Sequence, residues 1–344
     1  MDSAAFGQAA GPLVDGFGRV ASDLRVSVTD RCSLRCTYCM PAEGLPWLAR
    51  EELLSDNEMV RLVDIAIGLG VRRVRITGGE PLIRPNIADL VGRLAALSPR
   101  PELSLTTNGL ALAKHAGRLR AAGLERVNVS LDTLDPGRFA ELTRRDRHAD
   151  VIAGMAAATR AGLAPVKVNS VLLRGINDDE PAHLLAWCLR HGYQLRFIEQ
   201  MPLDPQHGWD RAQMLTGAEI LAALEADYEM AALPVRGSAP AEVWQVLRGP
   251  GLPAGETGLV GIIASVTSPF CASCDRLRLT ADGQLRNCLF AREESDLRTP
   301  LRAGASDAEL AGMMRAAVAG KRRGHGIDEP TFVQPDRPMS AIGG

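Results

Sequence analysis

From residue 24 to residue 200 the chain alternates short runs of β-branched residues with longer stretches of helical periodicity. In a short run such as 24–29 (LRVSVT), apolar and polar residues alternate, which is the two-residue period of a strand with one apolar face. The longer stretches begin and end at capping residues: Ser55-Asp-Asn-Glu58 opens a helix that Gly68 closes. This alternation predicts a parallel sheet with right-handed crossovers. We predict strands at 24–29, 72–77, 102–107, 126–131, 165–172 and 195–200.

Five of these strands carry a row of polar side chains opposite their apolar row, whereas strand 195–200 breaks the alternation and adds nothing to it. Strands buried between two helix layers should be apolar on both faces, and a closed eight-stranded barrel is filled with branched apolar side chains. The repeated polar row therefore predicts a wider or incomplete barrel that holds a large hydrophilic ligand. Polar residues satisfied by hydrogen bonds beneath the helices are the alternative. The row consists of Arg25, Ser27, Thr29, Arg73, Arg75, Thr77, Ser104, Thr106, Asn108, Asn128, Ser130, Asp132, Lys167 and Asn169.

The strand–helix alternation stops after Met201-Pro202. A mixed segment over 203–257 leads into a second unit, which contains a strand at 258–266 and a helix near 307–319. The first nineteen residues are small and Gly-rich, as in a poorly ordered terminus. We therefore predict three parts: a flexible tail at 1–19, a partial barrel at 20–210 and a C-terminal region at 211–344.

Three cysteines, Cys32, Cys36 and Cys39, follow the first strand at CxxxCxxC spacing. A structural zinc site needs four ligands, and a fully ligated [4Fe–4S] cluster needs four thiolates. Three thiolates leave one iron with an open position where a small molecule can chelate. This stretch resembles the radical S-adenosylmethionine (SAM) enzymes, in which the open iron takes the amino and carboxylate groups of SAM.

A second set of three cysteines, Cys271, Cys274 and Cys288, lies in the C-terminal region. Asp282-Gly283 between two alternating runs indicates a two-residue hairpin, which would place Leu277 opposite Cys288 and bring the three thiolates together. A second iron–sulfur cluster with an open iron is our preferred interpretation. A zinc site completed by a His or Asp elsewhere is the alternative.

Two arginines follow the second cysteine set. Arg276 and Arg278 are two residues apart on a predicted strand, so both point to one face. Their guanidinium groups suit phosphate oxygens. A solvated charged face is the other interpretation.

Composition narrows the class of protein further. A net charge of -2 and a pI near 6.3 argue against non-specific binding to nucleic acid or to an anionic membrane. The first twenty residues lack the pattern of a signal peptide, and we find no apolar run of about 18 residues that could span a membrane. We expect a cytoplasmic protein, where clustered cysteines favour metal over disulfides. The seventh cysteine, Cys188, is expected to be a buried core thiol.

Several longer stretches identify the family more narrowly. VRITGGEPLIR, LTTNGL, VNVSLDTLD, LRFIEQMP, GLVGIIASVTSPFCASCDRLRLTADGQLRNCLF and the terminal double glycine resemble the GTP 3′,8-cyclases of molybdenum cofactor biosynthesis, from about Gly18 to Gly344. The resemblance implies an incomplete (β/α)6 TIM-like barrel with a C-terminal extension that carries a second cluster. It also implies two [4Fe–4S] clusters, one on each cysteine set, and SAM as a cofactor.

The resemblance also implies the roles of individual residues. Arg25 is our candidate for the catalytic residue that assists the late reduction and proton transfer. Four of the implied GTP-binding residues, together with Ser130, lie on the polar rows identified above. SAM would be lined by the backbone at Tyr38 and by Gly79, Ser130 and Met201. GTP would be surrounded by Arg25, Arg75, Thr106, Lys167, Arg276, Leu277 and Arg278.

The implied reaction converts GTP to (8S)-3′,8-cyclo-7,8-dihydroguanosine 5′-triphosphate, a lyase reaction that begins molybdenum cofactor (molybdopterin) biosynthesis. The 5′-deoxyadenosyl radical from SAM would take hydrogen from C3′ of GTP, and the ribose radical would attack C8. Implied partners are an external electron donor, a second copy of the chain in a homodimer, and a downstream cyclic pyranopterin monophosphate synthase. The family usually has Asn where this chain has Asp275, which could weaken nucleotide binding. The Gly343-Gly344 tail either reaches the active site or frays.

Three other functions are open at this point. A radical SAM enzyme with an auxiliary cluster could act on a peptide, although the Arg-x-Arg pair would then be unexplained. An electron-transfer iron–sulfur protein ranks lower, because ferredoxin-type spacing supplies four thiolates per cluster. A zinc-binding interaction module ranks lowest.

Overall fold

The computed structural model describes residues 11–234, 237–329 and 331–343. Within them the strands are β1 (Asp23–Ser27), β2 (Arg73–Thr77), β3 (Glu102–Thr107), β4 (Arg126–Ser130), β5 (Val166–Val171), β6 (Gln194–Ile198), β7 (Glu229–Ala232), β8 (Glu242–Arg248), β9 (Gly258–Ile263), β10 (Arg276–Leu279), β11 (Gln284–Arg286) and β12 (Ser295–Asp296). The helices are α1 (Asp56–Gly68), α2 (Ile87–Ala95), α3 (Leu112–Ala121), α4 (Pro136–Thr143), α5 (His148–Arg160), α6 (Pro181–Arg190), α7 (Gly217–Glu225), α8 (Arg298–Arg302), α9 (Asp307–Ala319) and α10 (Met339–Ile342).

All of these strands belong to one sheet, in the order β12-β11-β10-β1-β2-β3-β4-β5-β6-β9-β8-β7. The strands from β10 to β9 run parallel, and antiparallel strands extend both ends. The six predicted strands are present, with ends within one or two residues of the predicted bounds. The described strands at the two ends do not pair with each other, so the barrel is open. The incomplete α/β barrel is therefore confirmed, and the C-terminal region contributes β9 and β10, one on each side of the six-stranded core.

Helix α1 shows why the helices form where they do. The Ser55 side chain accepts a hydrogen bond from the Glu58 backbone, and the Glu58 side chain accepts one from the Ser55 backbone, as the predicted capping box requires. Met59, Leu62 and Val63 are fully buried in the main core. Each such side chain contributes about 1.5–3 kcal/mol through burial. The same capping arrangement opens α7 and α9.

The two faces of the parallel strands differ as their alternation predicts. The apolar rows, such as Leu24 with Val26 and Val74 with Ile76, lie in one continuous core beneath the helices. Cys188 is buried in the same core, as expected. The opposite faces carry the polar rows into the barrel interior, so the apolar core lies outside the barrel.

The hairpin of β10 and β11 corrects one prediction. Arg278 pairs with Arg286, and Leu279 pairs with Leu285, so five residues, 280–284, lie between the last paired positions rather than two. The Thr280 hydroxyl accepts a hydrogen bond from the Gln284 backbone at 2.8 Å and donates one to Asp282 at 2.6 Å, which stabilises the longer loop. Continued two residues further, this register sets Cys288 opposite Arg276 instead of Leu277.

The start of the described chain is packed. Leu13 is buried, and Arg19 forms an ion pair with Asp15 at 2.5 Å. We expected residues 11–19 to belong to a flexible tail, but they contact the rest of the fold. Residues 1–10 lie outside the described residues. No described helix has both the length and the apolar character needed to cross a membrane.

Candidate active site

A cavity of about 330 Å³ lies inside the barrel, and both cysteine sets line it. None of the six thiols forms a disulfide. Lys167 and Leu277 are the two predicted site residues that do not line this cavity. Those that do are Arg25, Cys32, Cys36, Tyr38, Cys39, Arg75, Gly79, Thr106, Ser130, Met201, Cys271, Cys274, Arg276, Arg278 and Cys288.

The first cysteine set lies on one loop directly after β1. The Cys39 backbone N–H donates to the Cys36 carbonyl at 2.9 Å, and the Arg35 guanidinium donates to the Cys32 carbonyl at 2.8 Å. Asn108 approaches the Cys32 sulfur at 3.9 Å through its side-chain amide. Burial raises the pKa of the Cys36 thiol well above its usual value and raises that of Cys39 to about 12. These thiols need a positive partner before they can lose their protons.

The Gly78-Gly79-Glu80 loop at the end of β2 packs directly on this cysteine loop. The Gly79 and Glu80 backbones donate to the carbonyls of Thr29 and Arg31, both at 2.8 Å. A side chain at Gly78 would place its Cβ 2.7 Å from the Thr29 carbonyl. Packing of these two loops is therefore sufficient reason for glycine here.

Glu80 ties the same loop to the end of β3. Its carboxylate accepts hydrogen bonds from Thr107 Oγ1 at 2.7 Å, the Asn108 backbone at 2.6 Å and the Leu82 backbone at 2.9 Å. Burial raises the pKa of Glu80 to about 7, in opposition to these three bonds. Hydrogen bonds thus join the loops at the ends of β1, β2 and β3 around the first cysteine set.

The second cysteine set is assembled from two places. Cys271 and Cys274 lie on the loop before β10, and Cys288 follows β11. Side chains from distant segments fix the loop: Arg19 donates to the Cys271 carbonyl at 2.6 Å, and Lys321 donates to the Cys274 carbonyl at 2.9 Å. Burial alone would raise the pKa of Cys274, but Lys321 and Arg276 together lower it below its usual value.

The barrel wall between the two cysteine sets is crowded with buried cations. Burial and the nearby Arg278, Arg75 and Arg276 lower the pKa of Arg25 well below its usual value. Burial also lowers the pKa of Arg278 to about 9, which leaves it protonated at neutral pH. Asp23 is a buried acid among these arginines, and the charges of Arg75 and Arg25 lower its pKa despite burial. The guanidinium charges outnumber this carboxylate, which is the arrangement expected of a polyanion site.

Arg196 is a cavity residue that the sequence analysis missed. It lines the cavity and pairs in register with Asn169 of the polar rows. Burial, with Arg75 and Arg126 nearby, lowers its pKa to about 10. The irregular alternation of strand 195–200 hid it. Its position in register beside a polar neighbour on the adjacent strand is the signal that could have found it.

Two predicted GTP-binding residues lie elsewhere. Leu277 points away from the cavity and packs in the main core, because it alternates with Arg276 and Arg278 on β10. Its side chain does not line the cavity, so a contact between Leu277 and a ligand there would have to come from its backbone. Lys167 is half-buried on β5, and burial together with Arg196 and Arg126 lowers its pKa to about 8. It lies near the cationic wall without lining the cavity.

Asp275 does not add free negative charge to the anion site. Its carboxylate accepts a hydrogen bond from Ser22 Oγ at 2.7 Å and forms an ion pair with Arg73. The expected weakening of nucleotide binding therefore has no direct basis in the geometry, because the charge of Asp275 is already paired.

The last described residues enter the barrel. The Gly343 carbonyl accepts a hydrogen bond from Arg278, and Met339 and Ser340 line the cavity. Gly343 has φ +91°, and a side chain there would place its Cβ 2.9 Å from the Ser27 Cβ. The tail therefore reaches the site up to Gly343, and Gly344 lies outside the described residues.

The cavity fits iron–sulfur clusters and a polar ligand. Among the described residues no three His, Cys, Asp or Glu side chains are gathered to hold a single metal ion. The thiols around a [4Fe–4S] cluster bind different irons, so they need not converge on one point. Within the part of the chain that the structure describes, four buried polar atoms of cavity residues have no hydrogen-bond partner: Arg25 Nε, Asn169 Oδ1, Ser265 Oγ and Ser340 Oγ. Such orphaned atoms are costly unless a ligand satisfies them.

A partial barrel with CxxxCxxC after its first strand defines the radical SAM class of proteins. Residues 26–188 match the radical SAM superfamily, and residues 193–327 match the Molybdenum Cofactor Synthesis C family. The crystal structure of Streptococcus suis SuiB has a similar fold, with a TM-score of 0.57 and 14% identity, over 94% of this chain and 77% of that chain.

Curated relatives narrow the class to one family. The GTP 3′,8-cyclase of Streptomyces coelicolor is 62% identical over 96% of this chain and 96% of that protein. The GTP 3′,8-cyclase of Mycobacterium sp. strain KMS is 60% identical over 97% of this chain and 94% of that protein. GTP 3′,8-cyclase 2 of Mycobacterium tuberculosis H37Rv is 57% identical over 97% of this chain and 92% of that protein. This chain belongs to the GTP 3′,8-cyclase family, which confirms the resemblance seen in the sequence.

Proposed function

We propose that this chain converts GTP to (8S)-3′,8-cyclo-7,8-dihydroguanosine 5′-triphosphate, the first step of molybdenum cofactor biosynthesis. The observation that carries the proposal is the buried cationic wall between two cysteine sets in one cavity. A triphosphate supplies the negative charge that these cations lack. Membership of the GTP 3′,8-cyclase family supports the same substrate.

Each cysteine set would hold one [4Fe–4S] cluster. Cys32, Cys36 and Cys39 would leave an iron open for SAM, and the second set would leave one open beside the cationic wall. When bound, the first cluster supplies the electron that cleaves SAM into methionine and the 5′-deoxyadenosyl radical.

The protein's own residues would bind and orient the two small molecules. Arg75, Arg276 and Arg278 line the cavity and would hold the phosphates of GTP, whereas Arg25, which also lines it, would lie near the base or ribose. Arg196 adds charge to the same wall. Thr106 offers a hydroxyl, and Lys167 would pair with phosphate oxygens from the edge of the wall. Only the backbone of Leu277 is available for binding.

SAM would lie at the first cysteine set, near the backbone at Tyr38 and beside Gly79, Ser130 and Met201. The Tyr38 hydroxyl donates to Asp132 at 2.5 Å, which ties the cysteine loop to the end of β4. Burial raises the pKa of Asp132 to about 6. This bond would keep the loop in place while SAM is exchanged.

Arg25 would act on the late step, in which the cyclised nucleotide radical gains an electron, supplied in the end by the external donor, and a proton. Its lowered pKa makes it a better proton donor than an ordinary arginine, and its Nε has no partner in the described structure. Undiminished cyclised product from an Arg25→Ala enzyme would remove Arg25 from the chemistry. A rescue by Arg25→Lys would indicate that charge alone is needed.

We propose the remaining partners on the same basis. An external donor would reduce the first cluster, the chain would work as a homodimer in the cytoplasm, and a cyclic pyranopterin monophosphate synthase would consume the product. Sedimentation of the anaerobic protein tests the dimer directly, since a monomer at assay concentration would contradict it.

The function itself is tested with anaerobically reconstituted protein, dithionite, SAM and GTP. We expect 5′-deoxyadenosine to rise when GTP is present, together with a cyclised guanosine triphosphate in equal amount. ATP in place of GTP is the matched control, and it should increase neither 5′-deoxyadenosine nor a cyclised nucleotide. SAM cleavage that is the same with and without GTP, and that leaves the nucleotide unchanged, would contradict the proposal.

A further inference from the structure

Lys321 is a buried lysine that no step above uses. It follows Gly320 at the end of α9 and is 5% exposed. Its ammonium donates to the Cys274 carbonyl at 2.9 Å and to the Arg276 carbonyl at 3.0 Å, and it lies 3.7 Å from the Cys274 sulfur. An ammonium has three donors, so these three acceptors satisfy all of them.

The charge of Lys321 has no carboxylate partner among the described residues. Its hydrogen-bond partners there are two carbonyl oxygens and a sulfur. A buried charge is costly unless an opposite charge compensates it. The negative charge at hand is that of the thiolates of the second cysteine set. Lys321 is therefore placed to balance a ligated cluster rather than a side-chain acid.

A second cation approaches the same sulfur. The Arg276 guanidinium lies 3.9 Å from the Cys274 sulfur and is held by the Ser238 carbonyl at 2.7 Å and by the ring of Phe270. The first cysteine set is different. In the described structure, the side-chain donor that contacts one of its sulfurs is the neutral amide of Asn108. The two sets thus differ in the charge placed against sulfur.

We propose that Lys321 is a positioning residue that raises the reduction potential of the cluster held by Cys271, Cys274 and Cys288. Reduction by one electron makes a thiolate-bound cluster more negative by one charge. A fixed cation that donates toward a ligand sulfur stabilises the reduced form more than the oxidised form, because potentials depend on local charge and on hydrogen bonds to sulfur. This inference rests on the second cluster of the proposed function.

The test is an anaerobic redox titration of the full-length, reconstituted protein. Dithionite with redox mediators supplies the electrons, and electron paramagnetic resonance reports the reduced cluster. Replacing all three cysteines of the first set by alanine in every variant leaves only the second cluster to be observed. The variants are Lys321→Gln, which removes the charge, and Lys321→Arg, which keeps it. Lys114→Gln is the control, because Lys114 is exposed on α3.

We expect the midpoint potential of Lys321→Gln to be lower than that of the reference protein, which has the same cysteine replacements and an intact Lys321. At the potential where the reference cluster is half reduced, less than half of the Lys321→Gln cluster should be reduced. Lys321→Arg should stay close to the unsubstituted value, and Lys114→Gln should equal it. An unshifted midpoint in Lys321→Gln at full iron content would overturn the inference. An equal shift in Lys321→Arg would overturn it as well, because shape and not charge would then be responsible.

Two further measurements distinguish a failure of this inference from a loss of the cluster or a failure of the proposed function. If Lys321→Gln does not retain iron, Lys321→Met, which is neutral and similar in length, is titrated in its place under the same criteria. A protein with the first set intact and Lys321 unchanged is assayed in parallel for the cyclised nucleotide. No second-cluster signal and no product there would contradict the proposed function. If the second-cluster signal and the cyclised product are both present but the midpoint of Lys321→Gln is unshifted, only the proposed role of Lys321 is overturned.

Discussion

The two cysteine sets reach the same cavity by different routes. Cys32, Cys36 and Cys39 lie on one short loop, which is held by hydrogen bonds within the loop and by hydrogen bonds to residues 142–144. Cys271, Cys274 and Cys288 are brought together by a hairpin and are fixed by Arg19 and Lys321, which come from opposite ends of the chain. The first set is therefore contiguous in sequence, whereas the second is assembled from two separate segments.

The difference extends to charge. Arginines donate to backbone carbonyls in both sets, but the donor that approaches a sulfur is the neutral amide of Asn108 in the first set and two cations in the second. A site assembled from remote segments can collect charged side chains from each of them. The second set is thus better suited to hold an anion beside its cluster.

Replacing one cysteine in each set should separate their roles most sharply. We expect Cys36→Ser to abolish SAM cleavage, because the loop loses a thiolate that no neighbour can replace. Cys288→Ser should keep GTP-independent SAM cleavage but form no cyclised nucleotide. Each variant should lose about half of its bound iron, measured together with 5′-deoxyadenosine.

Cys188→Ala is the control for these variants, since this buried thiol touches neither set. It should keep its full iron content. Cyclised product from Cys288→Ser at the rate of the unsubstituted protein would remove the distinction between the two sets.

Glu199→Gln should weaken the support of the second set. The buried Glu199 carboxylate accepts hydrogen bonds from the backbones of Gly217, Val266 and Thr267 at 2.6–2.9 Å, and so holds the segment that leads to Cys271. An amide group facing these donors leaves at least one unsatisfied, which costs about 2 kcal/mol.

Thermal unfolding of the cluster-free protein measures this loss of stability, and Glu225→Gln, at an exposed position on α7, is the control. When the reconstituted Glu199→Gln protein is heated, iron should be lost from the second set before the first. Equal stability of the Glu199 and Glu225 variants would show that this anchor is not needed.

Arg278→Ala should weaken GTP binding. Arg278 is buried, lines the cavity and donates to the Gly343 carbonyl. Removing a buried partner of a charged group costs about 2 kcal/mol or more, which is roughly a 30-fold increase in the Kd for GTP. Equilibrium dialysis with radiolabelled GTP under anaerobic conditions measures it.

SAM binding at the first set should be unchanged in Arg278→Ala, and Arg118→Ala at an exposed site of α3 is the matched control. A change below threefold in the affinity for GTP would place the triphosphate away from β10.

The pH dependence of GTP binding should be the smallest effect. Lys167 has a pKa of about 8, lowered by burial and by nearby arginines. A bound triphosphate raises this pKa, so binding takes up a proton above pH 8. The Kd for GTP should therefore rise by up to about tenfold between pH 7 and pH 9.

In Lys167→Arg, whose guanidinium stays protonated, the same dialysis series should be flat over this range. Parallel curves for the two proteins would show that Lys167 does not pair with the nucleotide.

The sequence predicted those features that a short local pattern determines. Alternating polar and apolar residues were enough for β1 to β5 and for the interior polar rows, because each strand shows its two faces independently. The spacing of Cys32, Cys36 and Cys39 was enough for the first set for the same reason.

Features that depend on pairing between distant segments were harder to predict from the sequence. Arg196 was hidden because β6 alone lacks a regular alternation, and its role emerges only beside Asn169. The hairpin register was wrong by one residue because hydrogen bonds of Thr280, which no turn dipeptide predicts, lengthen the loop. Lys321 gave no signal at all, since nothing in its local sequence shows that it contacts Cys274.

The pairing of β1 with both β2 and β10 has a consequence for how the protein is made. A ribosome delivers β1 among the first segments and β10 only after most of the chain has followed. Until then the outer edge of β1 presents unpaired backbone groups, a surface open to wrong partners. The first three cysteines are synthesised long before the last three, and β10 must dock on β1 before both sets can line one cavity. The complete cavity can therefore form only near the end of synthesis.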